Sequence, residues 1–415
     1  MKQYYTMDTD FYRGCDPRTL LERFGSPLYV YSEDILRRRC RDIRQLCASP
    51  HYRVNYSTKA NSNRTILSII RDEGLDADAM SPGEIHVLLS VGFDPGQIFY
   101  VCNNVSVGEM AFARERGIMV GVDSLSQLET YGQAFPGSDV AVRFNMGFGA
   151  GHHEKVVTAG KKTKFGINDD HVDDVRALIR KYDLKLRGIN QHIGSLFLED
   201  AAYIESARML LDLALTFEDL EFVDLGGGFG IPYMKQDGQK RLDLDAMGDR
   251  LTRLIDEFVA RYGRPVRVKV EPGRYIVAEC GVLLGTVHAT KTNAGINYVG
   301  TDLGFNVLMR PILYDSHHDI EVYREGRLVT QGEQIVTVVG NICESGDKLA
   351  IGRALPPVMV GDILGVMDAG AYGYSMASNY NNRLRPAEVL IPLSGEPRLI
   401  RRRDTLEDLM RGFAE

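Results

Sequence analysis

Short β-branched runs alternate with longer segments of helical periodicity between about residue 53 and residue 270, and this alternation restricts the possible fold most. The runs predicted to be strands are residues 53–57, 76–79, 98–101, 119–122, 140–145, 185–191, 222–225 and 266–270. Apolar residues recur at helical spacing between them, for example in 65–73, 83–91, 107–116, 172–182, 201–215 and 244–262. Eight strands that alternate with helices predict a (β/α)8 barrel of the TIM type. A doubly wound sheet is the competing fold, but no G-x-G-x-x-G pattern follows the first strand.

The pattern changes after about residue 279. Short β-rich runs separated by turn residues then predominate, at 282–289, 298–303, 319–323, 334–339, 363–366 and 387–391, and the run 27–31 near the N-terminus resembles them. We therefore predict a second, all-β domain, sandwich-like or barrel-like, formed by residues 1–32 plus 280–415. Residues 33–279 are predicted to form the barrel domain.

Charge and cysteine usage exclude several classes of protein. The formal net charge of −7 argues against a nucleic-acid or anionic-membrane partner, and no long uncharged apolar run is present. The six cysteines are scattered without C-x-x-C spacing, which is typical of reduced thiols in a cytoplasmic protein. The adjacent pairs His152-His153 and His317-His318 lack the further ligand spacing of a metal site, so we expect no metal.

Functional groups follow several of the predicted barrel strands. Lys59 comes after the first strand, where desolvation at the mouth of a barrel would make it a nucleophile, although a surface lysine would have the same local sequence. Gly226, Gly227 and Gly228 follow the seventh strand and can let backbone N–H groups approach an anion such as a phosphate; a flexible turn is the alternative. Because the carboxyl ends of barrel strands meet at one face, these groups are predicted to share a site.

Three further side chains belong to this predicted site. Glu271 follows the eighth strand, where a carboxylate can hold a pyridine nitrogen protonated, or can instead form a structural ion pair. His192 ends the sixth strand and could lie flat against a ring, or could be a core histidine. Asp78, in the second strand, could orient a neighbouring group.

Cys343 and Glu344 lie in the predicted β domain. A thiol can donate a proton to a carbanion, and a carboxylate beside it can hold a substrate ammonium group. An inert buried cysteine is the alternative when Cys343 is considered alone.

Taken together, these segments resemble the fold-type III pyridoxal-phosphate decarboxylases over nearly the whole chain, from residue 24 to the last strand near Ile391. The resemblance is carried by Tyr56-Ser57-Thr58-Lys59-Ala60-Asn61, Gln191-His192-Ile193-Gly194-Ser195, Gly226-Gly227-Gly228-Phe229-Gly230, Glu271-Pro272-Gly273-Arg274 and Cys343-Glu344-Ser345-Gly346-Asp347. It also includes Gly149-Ala150-Gly151-His152-His153, Lys164-Phe165-Gly166-Ile167, Met309-Arg310-Pro311-Ile312-Leu313-Tyr314, Asp368-Ala369-Gly370-Ala371-Tyr372-Gly373 and Ser378-Asn379-Tyr380-Asn381.

The resemblance implies roles for individual residues. It implies pyridoxal 5'-phosphate as the cofactor, with Lys59 bonded to its aldehyde carbon, His192 stacked on the ring and Glu271 at the ring nitrogen. The remaining cofactor-binding positions are Asp78, Gly273 and, on the phosphate side, Ser195, Gly226, Gly227, Gly228 and Arg274. The positions that match substrate contacts are Arg274, Arg310, Tyr314, Glu344 and Tyr372, and Tyr372 also touches the cofactor. Cys343 matches a proton donor that the partner subunit supplies, which implies a homodimer with shared active sites.

Within this family the resemblance is closest to the enzymes that convert meso-2,6-diaminopimelate to L-lysine and CO2, the last step of bacterial lysine biosynthesis. A related decarboxylase for ornithine, D-lysine, arginine or a carboxylated polyamine is the nearest alternative, but Arg310 suits a second substrate carboxylate. An amino-acid racemase is expected to carry an arginine where Glu271 stands. A catalytically inactive binding protein would be expected to lack Lys59 or Cys343, and both are present.

Overall fold

The computed structural model describes residues 3–147 and 163–414. The segment Gly149-Ala150-Gly151-His152-His153, which contributes to the family resemblance, lies outside the described residues. The chain divides into two compact units. The barrel unit comprises Arg39–Ile231 and Arg241–Ile276, and the sheet unit comprises Met1–Arg38, Pro232–Lys240 and Val277–Glu415.

The strands, in chain order, are β1 (Leu28–Ser32), β2 (Tyr52–Ser57), β3 (Asp76–Ala79), β4 (Ile98–Val101), β5 (Met119–Val122), β6 (Asp139–Asn145), β7 (Ile167–Asn168), β8 (Lys185–Asn190), β9 (Phe222–Asp224), β10 (Arg267–Val270), β11 (Gly281–Asn293), β12 (Ile296–Thr301), β13 (Ile320–Arg324), β14 (Arg327–Leu328), β15 (Gln334–Val339), β16 (Lys348–Leu355), β17 (Ile363–Val366), β18 (Ala387–Ile391) and β19 (Arg398–Arg401). The α-helices are α1 (Tyr5–Asp8), α2 (Pro17–Phe24), α3 (Glu33–Arg44), α4 (Arg64–Asp72), α5 (Pro82–Ser90), α6 (Val107–Arg114), α7 (Leu125–Ala134), α8 (Val172–Lys181), α9 (Ala201–Ala214), α10 (Leu244–Tyr262), α11 (Arg274–Val277), α12 (Arg310–Tyr314) and α13 (Leu406–Met410).

The barrel unit contains a closed parallel sheet. Its order is β5-β4-β3-β2-β10-β9-β8-β6, and β6 returns to pair with β5, so eight strands close the barrel; the short β7 adds to β6. This confirms the predicted TIM-type barrel. Strands such as β4 and β9 are buried along their whole length, as expected for parallel strands that are covered by helices on one side and fill the barrel on the other.

A charged side chain lies inside this apolar barrel, close to an aromatic ring and under the influence of nearby carboxylates. Lys269 of β10 is buried, and its Nζ lies 4.7 Å from the ring centroid of Phe222. Burial lowers the pKa of Lys269, while the nearby carboxylates of Asp224 and Asp76 oppose that shift. Lys269 and Phe222 fill part of the barrel interior, whereas the functional groups lie where the strands end.

The sheet unit is built on a mixed sheet. Its main path is β14-β13-β17-β11-β1-β18-β19, and β12, β15 and β16 extend from the long strand β11. The pairs β1–β18 and β12–β15 are parallel, and the other pairs in this unit are antiparallel. The N-terminal strand β1 lies between β11 and β18 and so belongs to this second sheet. The second domain is thus a separate sheet domain with a few short helices.

No helix in the part of the chain that the structure describes has the length and apolar character required to cross a membrane.

Candidate active site

The groups that follow the barrel strands come from five strand ends. Lys59 lies in the single turn Thr58–Ala60 directly after β2, and Asp78 is in β3. His192 follows β8, the glycine loop follows β9, and Glu271 is the residue after β10. These strands are parallel, so their carboxyl ends lie on one face of the barrel, where TIM-type enzymes have their active sites.

Asp78 holds the turn that carries Lys59. Its carboxylate accepts hydrogen bonds from the Ser57 hydroxyl, at 2.9 Å, and from the Thr58 N–H, at 3.1 Å. Burial raises the pKa of Asp78 to about 6, although the positive charge of Lys59 opposes the shift. The carboxylate therefore orients the lysine through the main chain and also lies within its electrostatic reach.

Glu271 presents a buried oxygen atom to this site. The residue is 4% exposed, and its Oε1 accepts no hydrogen bond from the described residues. Burial raises the pKa of the carboxyl well above its usual value, and the neighbouring carboxyls of Asp224 and Asp78 raise it further. A buried carboxyl with an oxygen that accepts no bond requires a donor, which an N–H group or a cation of a bound ligand could supply.

His192 is neutral in this environment. Its Nδ1 accepts a hydrogen bond from the N–H of Gly227, at 3.1 Å, so any ring proton is on Nε2. Burial lowers the pKa of His192 well below its usual value, and the positive charges of Lys59 and Arg143 add to the effect. Although Nδ1 lies 4.0 Å from the Glu271 carboxylate, no ion pair forms because the ring carries no charge.

The glycine loop after β9 is packed too closely for side chains. A Cβ atom on Gly227 would lie 2.0 Å from the carbonyl oxygen of Glu271, and one on Gly226 would lie 2.3 Å from the carbonyl oxygen of Gln191. The N–H of Gly226 donates to Asp224 and the N–H of Gly227 donates to His192, so both have acceptors within the protein. These two glycines let the main chain lie close to the site. A bound anion would need hydrogen-bond donors from other residues of the loop.

A second polar pair lies beside this loop. Arg274 begins α11, is 6% exposed, and donates from Nη2 to the Ser195 hydroxyl oxygen at 2.9 Å. Because that hydroxyl already accepts a bond, its own proton is available for an acceptor. Gly273 lets this segment approach β2, since a Cβ atom there would lie 2.9 Å from the Cβ of Ser57. A serine hydroxyl beside a guanidinium suits a phosphate or a carboxylate.

Arg143 is a member of this site that the sequence reasoning missed. It lies in β6, and its charge acts on Glu271, Asp123 and His192. Burial lowers the pKa of Arg143, while those carboxyls oppose the shift. An arginine in the middle of the apolar run Val140-Ala141-Val142-Arg143-Phe144 was the available signal, because an isolated charge in a barrel strand usually faces other charges.

Glu84 is a second residue near this site that the sequence reasoning missed. It accepts a hydrogen bond from the Met80 N–H, at 2.7 Å, near the start of α5. Burial raises the pKa of Glu84 to about 7; the charge of Asp78 raises it further, and that of Lys59 opposes the shift.

In the sheet unit, Arg310 is a buried cation that donates hydrogen bonds to two neutral side chains. It is 1% exposed and donates to His318 Nε2, at 2.9 Å, and to the Ser316 hydroxyl, at 3.2 Å. Its guanidinium carbon also lies 4.6 Å from the ring centroid of Tyr233. His318 donates from Nδ1 to the Met367 carbonyl, which leaves Nε2 as an acceptor and makes the imidazole neutral.

The other predicted residues of the sheet unit lie in loops or at element ends. Tyr314 ends α12 and is half-buried. Cys343 and Glu344 are exposed, and both are bonded to the segment Tyr380–Asn382: Cys343 N–H to Asn381 and Glu344 to the Tyr380 hydroxyl. Tyr372 has a left-handed backbone, with φ of 57°, which makes it a local outlier typical of functional loops.

Among residues 3–147 and 163–414, no cluster of three or more His, Cys, Asp or Glu side chains could hold a metal ion. His317 is bonded to Asp319 at 3.0 Å, and its neighbour His318 bonds Arg310. The other adjacent pair, His152-His153, lies outside the described residues.

Comparison with known proteins identifies the family. Residues 33–278 match the sequence profile described as pyridoxal-dependent decarboxylase, pyridoxal binding domain. The diaminopimelate decarboxylase of Methanothermobacter thermautotrophicus is 39% identical over 409 residues, which cover 96% of this chain and 94% of the relative. That of Escherichia coli strain K12 is 36% identical, over 93% of both chains.

A solved structure agrees with these sequence matches. Diaminopimelate decarboxylase from Helicobacter pylori, complexed with L-lysine, superposes with a TM-score of 0.86 at 30% identity, covering 95% of this chain and 98% of that one. Both the predicted fold and the predicted family are confirmed. The chain therefore belongs to the diaminopimelate decarboxylases, within the pyridoxal-dependent decarboxylase family.

Proposed function

We propose that this protein binds pyridoxal 5'-phosphate and decarboxylates meso-2,6-diaminopimelate to L-lysine and CO2. One observation supports the reaction type above all: the Glu271 carboxyl is buried at the barrel mouth beside Lys59, and its Oε1 accepts no hydrogen bond from the described residues. Bound pyridoxal phosphate supplies an electron-withdrawing ring that stabilises negative charge at the substrate carbon. A carboxylate at the ring nitrogen strengthens that effect, whereas an arginine would weaken it.

The residues present fit the cofactor. Glu271 offers its oxygen to the ring nitrogen, and the neutral imidazole of His192 can lie against the ring face without repelling a cation. Asp78 orients Lys59 towards the aldehyde carbon. The phosphate would be held by Ser195, Gly228 and Arg274, with Gly226, Gly227 and Gly273 permitting the close approach of the main chain and Tyr372 adding a contact.

Arg310 supports a dicarboxylic substrate. Its guanidinium is almost fully buried and donates hydrogen bonds to His318 and Ser316. A guanidinium binds a carboxylate through parallel charge-assisted hydrogen bonds, so a second carboxylate on the substrate is its expected ligand. We assign Glu344 to the ammonium group at the same end of the substrate, and Arg274, Tyr314 and Tyr372 to further substrate contacts.

Cys343 is assigned to the proton that replaces CO2. After the carboxylate leaves, the S–H bond of Cys343 breaks and a C–H bond forms at the same carbon; the thiolate then regains a proton from water. Cys343 is exposed, which leaves its thiol accessible.

We further propose a homodimer in which each subunit lends Cys343 to its partner's site. Lys59 belongs to the barrel unit and Cys343 to the sheet unit. In a two-fold dimer the same contact occurs twice. The six free cysteines fit a reducing compartment, so we place the dimer in the cytoplasm.

A comparison of substrates, each offered alone, tests the function directly. Purified protein loaded with pyridoxal phosphate is offered meso-diaminopimelate, ornithine, D-lysine, arginine and a carboxylated polyamine separately, while CO2 release is measured. We expect diaminopimelate to be turned over with the highest kcat/KM and to yield L-lysine. A higher kcat/KM for another amino acid would reassign the substrate, and racemisation without CO2 release would reassign the reaction.

The lysine assignment has its own test. Borohydride reduction of the cofactor-loaded protein followed by peptide mapping should place the cofactor on Lys59. Lys181, which pairs with Glu129 on the surface, provides a control: Lys181→Met should leave the label unchanged and Lys59→Met should abolish it. Recovery of the label on another lysine would refute the assignment.

Subunit mixing tests the shared site. Lys59→Ala and Cys343→Ala proteins should each be nearly inactive. After equal mixing and subunit exchange, about half of the dimers are hybrids, and in each hybrid one site has both defects and the other has neither. About a quarter of all sites should then recover. If exchange of differently tagged chains is demonstrated but no activity returns, Cys343 does not act across subunits.

A further inference from the structure

We propose that Tyr380 and Asn381 are positioning residues for the reaction: they hold Glu344 and Cys343 in the geometry needed for substrate binding and protonation. The inference rests on the proposed function, because it takes Cys343 as the proton donor and Glu344 as a substrate contact. It concerns the motif Ser378-Asn379-Tyr380-Asn381, to which the site described above assigns no role.

Asn381 fixes the main chain at the thiol. Its side-chain oxygen accepts a hydrogen bond from the Cys343 N–H, at 2.8 Å, across 38 residues of sequence. Asn381 has a left-handed backbone, with φ of 55° and ψ of 23°. Asparagine tolerates this conformation better than most residues, and in this turn its amide oxygen meets the Cys343 N–H.

Tyr380 fixes the neighbouring carboxylate. Its hydroxyl donates to Glu344 Oε1 at 2.6 Å, and this bond is the main reason that the pKa of Tyr380 is raised. The ring stacks on Phe305, with centroids 5.5 Å apart, so the hydroxyl cannot swing away without loss of the stack. The two bonds therefore act on consecutive residues, the thiol carrier and the carboxylate beside it.

Asp347 also restrains the loop that carries Cys343 and Glu344. This buried carboxylate accepts from the Ile342 N–H, at 2.8 Å, and from the Phe305 N–H, at 2.7 Å. Phe305 then stacks on Tyr380, which closes a ring of contacts around the Cys343-Glu344 loop. The loop is thereby restrained on the side of Ile342 as well as at its tip.

Exposure separates a positioning role from a purely structural one. Cys343 and Glu344 are exposed, and Tyr380 is 44% exposed. The bonds that Asn381 and Tyr380 make to these two residues therefore lie outside the core. Hydrogen bonds in water-accessible positions add little to the stability of the fold. One bond reaches the main-chain N–H of Cys343 and the other reaches the side chain of Glu344, so the need to orient these two neighbouring residues explains the pair.

The test measures where the proton arrives. The cofactor-loaded enzyme converts meso-diaminopimelate in D2O, and NMR locates deuterium on the ε-carbon of the lysine produced. Each turnover adds one deuterium to that carbon, which keeps its original hydrogen. A correctly oriented thiol adds the deuterium at the same one of the two positions every time, whereas protonation by bulk solvent distributes it over both positions. Cys343→Ala gives the reference for lost delivery, and thermal unfolding is recorded for every variant.

Asn381→Gly removes the acceptor and keeps a backbone that accepts positive φ. It should lower kcat about 2–12-fold with little change in KM, and it should scatter the label over both positions. Asn381→Asp retains an oxygen acceptor and should restore kcat and single labelling. Asn382→Gly is the matched control, because Asn382 is the next residue and also has a left-handed φ, of 53°; wild-type behaviour is expected.

Tyr380→Phe removes only the hydroxyl that holds Glu344. It should raise KM for diaminopimelate about 2–12-fold while the labelling stays single. If Asn381→Gly fails to fold, this variant decides the inference. The positioning role would be overturned if folded Asn381→Gly kept the wild-type kcat with deuterium at one position, or if Tyr380→Phe kept the wild-type KM. It would also be overturned if the wild type itself distributed deuterium over both positions. A wild type that releases no CO2 from diaminopimelate would instead overturn the proposed function.

Discussion

Replacing Glu271 by glutamine should separate the chemistry of the site from the stability of the fold. Glutamine has the size of glutamate but cannot become an anion, so it cannot hold a ring nitrogen in its protonated form. In the cofactor-free protein, burial together with Asp224 and Asp78 raises the pKa of Glu271 well above 4.5. The wild-type carboxyl therefore already holds a proton over part of the pH range, and glutamine imitates that neutral form.

The expected loss of activity follows from one charge-assisted bond. Such a bond contributes about 1.5–3 kcal/mol, which corresponds to about a 10–150-fold fall in kcat. We expect kcat/KM for diaminopimelate to fall in this range for Glu271→Gln. Steady-state CO2 release with saturating cofactor gives the measurement.

The stability of the cofactor-free protein should change in a pH-dependent way. Because the folded pKa of Glu271 lies above the unfolded value, the folded state binds more protons between the two, and wild-type stability decreases as pH rises through that window. Glutamine does not titrate, so it contributes no such pH dependence to stability. The free energy of unfolding of the variant, measured with urea, should therefore increase relative to wild type as pH rises from about 4.5.

A buried glutamate of the sheet unit is the control. Glu388 is fully buried and is bonded to Arg401 and to the Tyr31 hydroxyl, so Glu388→Gln should reduce stability by about 1–3 kcal/mol and leave kcat per folded molecule unchanged. The reasoning fails if Glu271→Gln retains wild-type kcat. It also fails if its cofactor-free form loses stability at every pH as Glu388→Gln does.

Three other variants test separate parts of the structure. Arg310→Ala should lower kcat/KM for diaminopimelate about 10–150-fold but affect D-lysine much less, because D-lysine lacks the second carboxylate; equal losses would make the residue structural. Gly227→Ala should cost about 1–3 kcal/mol of unfolding free energy and weaken cofactor binding, since its Cβ would lie 2.0 Å from a carbonyl oxygen, whereas Gly96→Ala, with nothing within 4 Å, should be neutral in both assays. Lys235→Met should destabilise by about 3–5 kcal/mol, because Lys235 lies 2.7 Å from the buried carboxylate of Asp368. Burial raises the pKa of Asp368 to about 6, while the charge of Lys235 opposes the shift. The loss, measured by urea unfolding, should therefore grow as pH rises through that value, and a pH-independent loss would contradict the pairing.

The barrel was predictable because its local and global patterns agree. Each of the eight barrel strands was predicted within one residue of its observed bounds. Strands such as β4 are continuous apolar runs bounded by turns, as expected of parallel strands buried on both faces. Close contacts between helices were not predictable in the same way. Gly132 of α7 is an example, because a Cβ there would lie 2.4 Å from the Tyr182 ring, and the sequence alone does not show that contact.

The strands absent from the sequence prediction are those at sheet edges. β7, β14, β16 and β19 each pair with a single neighbour, and β19 is the run Arg398-Leu399-Ile400-Arg401. An edge strand is defined by the partner that it joins more than by its own alternation, so its local sequence carries a weak signal. The parallel pairing of β1 with β18 likewise depends on residues far apart in the chain.

The site was predictable in its composition and less so in its electrostatics. Lys59 and Glu271 follow strands, and strand ends can be located from sequence. The tautomer of His192, the internal use of the Gly226 and Gly227 N–H groups and the charge of Arg143 all depend on distances between strands. The bond from Cys343 to Asn381 spans 38 residues and could be found only from the fold.

The arrangement of charges in the barrel links binding to stability. Asp78, Asp224 and Glu271 all have raised pKa values because each is buried. The charge of Asp78 raises the pKa of Asp224, and the charges of both raise the pKa of Glu271. The cofactor-free protein thus holds several acids in an environment that favours their neutral forms, with Lys59 and Arg143 as opposing cations. A ligand that brings a protonated ring nitrogen to Glu271 relieves part of this repulsion. The carboxyl groups that destabilise the cofactor-free protein are therefore the groups that favour cofactor binding. A change at Glu271 that stabilises the cofactor-free protein should weaken binding of the cofactor ring.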